Sequence, residues 1–156
     1  MQSLDFNEVF SDSFETFKVF DVLSIEQASC SAENTPKSIW QILNHLIVFQ
    51  DKQLEQLQRG AVMKLDEAES WQEDPVIKDQ EVLDASVQKF KSQIRLIREE
   101  INKLSAEDPS LAEKLKLIQS ISTHLSFHLG EIVLIRRQLK NYPWPGEMNV
   151  FLGSGC

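Results

Sequence analysis

Residues 80–104 read QEVLDASVQKFKSQIRLIREEINKL. Leu83, Val87, Phe90, Ile94, Ile97, Ile101 and Leu104 recur there in alternating steps of four and three. Such a near-heptad seam lies along one face of a helix and packs against partners at a shallow crossing angle. It predicts an all-α bundle, with this helix running from about Gln80 to Leu104. Ser105 to Pro109 then breaks it.

Outward from this seam the same period recurs. A C-terminal helix is expected from about Ser110 to Lys140, ending before Tyr142-Pro143. On the other side, Thr35 can cap a helix with Pro36 in its first position, where the missing N–H costs nothing. That helix runs to about Arg59 and stops at Gly60, with Leu43, Leu46, Ile47, Leu54 and Leu57 as its stripe. Near the N-terminus, Phe6, Phe10, Phe14, Phe17 and Phe20 recur at helical spacing and predict a first helix over about Asp5 to Leu23. The acidic stretch from Gly60 to Asp79 carries Pro75 and reads as a connection, with a short helical turn around Leu65 to Trp71. At about twenty residues it is long for a bundle, allows a crossover and is expected to cover one end. No stretch reads as a strand. The expected architecture is an antiparallel four-helix bundle over residues 1–142 and a tail over 143–156 without an element of its own.

Length and composition agree with one globular domain. The chain has 156 residues, of which 42% are hydrophobic. Acidic residues outnumber basic ones 24 to 16, for a formal charge of −8. A nucleic-acid surface needs a basic stripe to replace phosphate counterions, and Arg136-Arg137 is too little. The same balance argues against an anionic membrane surface. The apolar runs, such as Ile132 to Ile135, fall far below the ~20 residues of a membrane span. The first residues lack the basic start and apolar core of a signal peptide. Cys30 and Cys156 form no disulfide framework and no Cys-x-x-Cys motif. A reducing, cytoplasmic setting is the expectation.

The chemistry concentrates in three histidines, all that the chain has. His124 and His128 stand four residues apart, one turn apart on one helix face. Leu117, Ile121, Ile135 and Leu139 share that face, so both imidazoles are expected to point inward. His45 lies mid-way along the helix that precedes the long connection, flanked by Ile42 and Phe49. Bundles draw metal ligands from facing helices, and three neutral imidazoles suit zinc, nickel, copper or ferrous iron better than magnesium or calcium. Three protein ligands leave a position open for water or substrate. The segment His124-Leu125-Ser126-Phe127-His128 lacks the Glu of the zinc-protease motif, no Glu-x-x-His pair of a di-iron bundle is present, and Ser126 has no partner base. Glu131, three residues past His128, is the candidate general base or ligand-orienting carboxylate. Cys30 reads as a passive small residue rather than a reactive thiol.

At these residues the chain resembles the DinB/YfiT-like superfamily of four-helix metalloproteins. The pattern Trp-x-Ile-Leu-x-His-Leu occurs as Trp40-Gln41-Ile42-Leu43-Asn44-His45-Leu46. The fourth-helix pattern occurs as His124, His128, Gly130, Glu131 and Ile132, followed by Arg136-Arg137, with Glu131 where that family often has Gln. The resemblance implies one divalent metal per chain on His45, His124 and His128, zinc or nickel first and iron third. It implies a homodimer and a small-molecule substrate, in some relatives with a low-molecular-weight thiol as cosubstrate. Two function classes follow: a metal-dependent thiol transferase or hydrolase, or a non-catalytic, stress-related bundle whose metal is a staple or absent.

Overall fold

The computed structural model describes residues 5–33, 35–60 and 68–153. Its helices are α1 (Phe6–Val9), α2 (Ile25–Ala28), α3 (Ile39–Arg59), α4 (Gln80–Asn102), α5 (Leu111–Gln138) and α6 (Met148–Gly153). Short 3-10 turns occupy Ala68–Ser70 and Pro145–Glu147, and the described residues hold no strand. The chain is therefore all-helical, with three long helices, and the seam of α4 is buried from Leu83 to Ile101.

Local chemistry fixes the ends. α3 starts later than Thr35-Pro36 suggests. Ser38 is its cap: the Ser38 hydroxyl accepts from the Gln41 N–H, and the Gln41 side chain accepts from the Ser38 N–H. This reciprocal pair satisfies two N–H groups that the first turn leaves open. Thr35 instead donates to the Ala32 carbonyl in the preceding turn. Gly60 ends α3 in the left-handed region, φ 68°, and its N–H returns to the Gln56 carbonyl. Asp79 caps α4 by accepting from the N–H groups of Glu81 and Val82.

Cross-helix bonds give the topology. Gln93 donates to the Ile47 carbonyl and Gln58 to Glu100, so positions on α3 and α4 rise together. These two helices are parallel, which corrects the expectation of antiparallel neighbours. The reason lies in the connection between them: Ser38, at the start of α3, donates to the carbonyl of Pro75, just before α4 begins. α5 runs the other way along α3, with His45 against His128 and Phe49 against His124.

The first helix is the larger correction. Only α1 is helical before Ser24, and Phe17, Lys18 and Val22 take φ of 50°, 57° and 51°. Left-handed residues with a Cβ cost about 1–2 kcal/mol each and cannot continue a right-handed helix. Outside bonds replace the helical ones. The buried Arg136 guanidinium donates to the carbonyls of Val19 (2.7 Å) and Asp21 (3.1 Å), and Arg98 donates to that of Phe14. Phe6, Phe14 and Phe20 stay buried, while Phe17 is exposed. The segment keeps the fourth corner of the bundle. It runs along α5, with Ser13 beside Ser122 and Val19 beside Arg136, and against α4, with Glu15 on Arg98 and Asp21 on Lys91. The tail also departs from expectation. It forms α6, whose Phe151 packs on Tyr142 and whose carbonyl at Phe151 takes a bond from Lys18.

Two stability outcomes follow. Arg136→Ala strands several buried carbonyls, and urea unfolding should show a loss of about 3 kcal/mol. Gln50 on α3 is buried, and among the described residues neither of its amide atoms has a hydrogen-bond partner. Gln50→Met should raise stability by about 1 kcal/mol, and a loss instead would mean that the amide has a partner.

Candidate metal centre

The antiparallel pairing of α3 and α5 brings the three histidines to one point. His45 Nε2 lies 3.0 Å from His124 Nε2. Ring centroids are 5.0 Å apart for His45–His124, 4.8 Å for His45–His128 and 4.7 Å for His124–His128. One nitrogen of each ring lies within 4.8 Å of the other two. Two imidazole nitrogens about 2.0–2.1 Å from a shared ion can stand 3.0 Å apart, so the donor set fits a transition metal. His45 and His128 are buried and His124 is half-buried.

The outward nitrogens are held as well. His45 Nδ1 lies 2.7 Å from Ser70 Oγ, and His128 Nδ1 lies 2.6 Å from Glu131 Oε2. With Nδ1–H donating to these oxygens, Nε2 of both rings keeps its lone pair for the centre. Outer partners of this kind fix tautomer and orientation in metal-ligating histidines. Glu131 thus sits on the outer side of His128, as an orienting carboxylate. Ser70 escaped sequence reading. Its only signal was the length of the connection expected to cover one end, and no motif singles it out within the acidic stretch. The expected turn at Leu65 to Trp71 is seen as Ala68–Ser70, while residues 61–67 lie outside the described ones.

Aromatic rings wall the centre. Trp71 stacks on His45 at 3.8 Å with an 8° interplanar angle, and meets His128 edge-on at 5.7 Å. Phe49 packs on both His45 and His124. Lys37 sits 5.1 Å from the Trp71 ring. His124 also borders a shallow part of the surface. A depression of about 540 Å³ is lined by Lys116, Gln119, Ser120, Thr123, His124 and Phe127. Cys30 is not in the cluster; its thiol donates to the Glu26 carbonyl, and Cys156 lies outside the described residues.

Burial, with the neighbouring imidazoles adding to it, pushes His45 down to about 3 and His124 down to about 4. Both rings are neutral at pH 7, as ligands must be. The sequence alone predicts metal affinity falling below pH 6.5; for these two rings the packing moves proton competition to about pH 4 and lower. In the metal-free protein, NMR of the ring protons should show His45 and His124 uncharged at pH 5. Their unfolded forms bind protons near 6.5, so folding stability should decline as pH falls from about 6.5 toward 4. His45→Gln should flatten that decline.

Among the described residues no helix is long and apolar enough to cross a membrane. Comparison of the chain with protein-family profiles, curated proteins and solved structures gives no match.

Proposed function

We propose that the protein is a metal-dependent enzyme of the DinB/YfiT-like kind, holding one divalent transition-metal ion on His45, His124 and His128. The observation that carries this reading is the convergence of three imidazoles whose outward nitrogens are already engaged, by Ser70 at His45 and Glu131 at His128. All-nitrogen ligation favours zinc or nickel, with iron third. The fold agrees with it coarsely, in three long helices and the 5–23 segment in the fourth corner, while the parallel α3–α4 pair departs from the antiparallel bundle expected.

An ion held there supplies a Lewis acid that brings the pKa of a bound water or thiol toward 7. The chain's own residues prepare that chemistry. Ser70 and Glu131 aim the rings, and Trp71 and Phe49 keep water from the buried side. His124 is half-buried and borders a shallow surface depression, the side from which a small substrate would approach. This arrangement suits thiol transfer or hydrolysis. The near-complete burial of His45 and His128 favours a second reading, a non-catalytic bundle with a structural ion. The partial exposure of His124 favours the enzyme.

Metal analysis of protein purified without a nickel column separates these readings from an empty histidine cluster. About one ion per chain is expected, and His124→Ala should bring it to background. Glu131→Gln should weaken metal binding about tenfold, because an amide holds the His128 ring less firmly. Unchanged metal content in His124→Ala would defeat the assignment. Turnover of thiol–electrophile pairs or ester substrates by the loaded protein, lost in His124→Ala, would select the enzyme; metal-dependent stability without turnover would select the staple.

A further inference from the structure

We propose that the centre serves small molecules carrying an anionic group about two helical turns from the group they present to the histidines, and that Lys116 reads that charge. The inference rests on the metal-dependent reading above and names the substrate class for the same site. Of the three histidines, only His124 lines the depression. Lys116 lines the same depression, eight residues earlier on α5, or about 12 Å along the axis. Ser120 and Thr123 form the floor between them, and Phe127, exposed beyond His124, adds an apolar wall. A ligand lying along this face therefore meets, in order, a cation, a polar floor, an imidazole centre and an aromatic ring.

Charge makes the position informative. The chain carries −8, a field that repels anions in general. Yet among the described residues Lys116 forms no ion pair, although Glu113 lies one turn before it. Glu131, the carboxylate nearest the centre in sequence, is engaged by His128. Lys116, exposed on α5, thus keeps its charge available to the face it shares with His124, as Lys52, Lys78 and Lys140 do elsewhere on the surface.

The test uses the full chain loaded with cobalt(II), whose charge-transfer absorbance reports a bound thiolate. Mercaptohexanoate and mercaptooctanoate are titrated against mercaptohexanol and mercaptooctanol, with mercaptopropionate and mercaptopropanol as the pair too short to span the distance. The long acids should bind about fivefold more tightly than the matching alcohols, and the short pair should show no such gain. The advantage should vanish in Lys116→Gln and shrink as salt rises. Equal binding of long acids and alcohols, an advantage that survives Lys116→Gln, or loaded protein showing no thiolate band with any probe would overturn the inference and leave the metal assignment standing. Failure to load cobalt would overturn both.

Discussion

A nearly inaccessible imidazole on α3 organises this molecule. His45 has two ring nitrogens and almost no contact with water, and an unpaired polar group in that position would cost about 1–3 kcal/mol. One nitrogen is met by Ser70 from the connection, and the other faces His124 Nε2 on α5, 3.0 Å away. Satisfying one side chain thus ties together three parts of the chain that are distant in sequence. Trp71 follows Ser70 directly, so the bond that places the hydroxyl also lays an indole on the imidazole face.

The long connection makes sense in these terms. Two parallel helices cannot be joined by a tight turn, because the chain must travel back along the first before starting the second. On the way it lies against the N-terminal half of α3. The Gln41 side chain donates to the carbonyls of Gln72 and Glu73, and Ser38 to that of Pro75. The return path is therefore also one wall of the histidine cluster.

What sequence reveals here depends on which forces set each feature. The seams of α3, α4 and α5 follow the 3.6-residue period because each helix buries one face, and that pattern survives in the letters. His124 and His128 are legible for the same reason, and the facing position of His45 follows from bundle geometry. The phenylalanine run misleads because its spacing is helical while its backbone is not: Arg136, more than a hundred residues away, takes the carbonyls that a helix would use. Ser70 is equally hidden, since a serine in an acidic connection carries no period and its role exists only through packing. The cap at Ser38 was missed for a local reason. Thr35-Pro36 offers a plausible start, but the reciprocal bond needs Gln three residues after the cap, and only Ser38 has Gln41 there.

The knot around Arg136 has a consequence for how the protein comes apart. Arg136 grips the carbonyls of the turn at 18–21, Tyr142 donates to the Phe17 carbonyl, and Lys18 reaches the backbone of α6. The two extremities of the described chain are therefore laced to each other as well as to the long helices. Trimming either one removes part of the anchorage of the other, so the two should loosen together while the α3–α4 pair remains zipped. A fusion partner or tag that pulls on the tail would be felt at the opposite extremity before it reached the histidines.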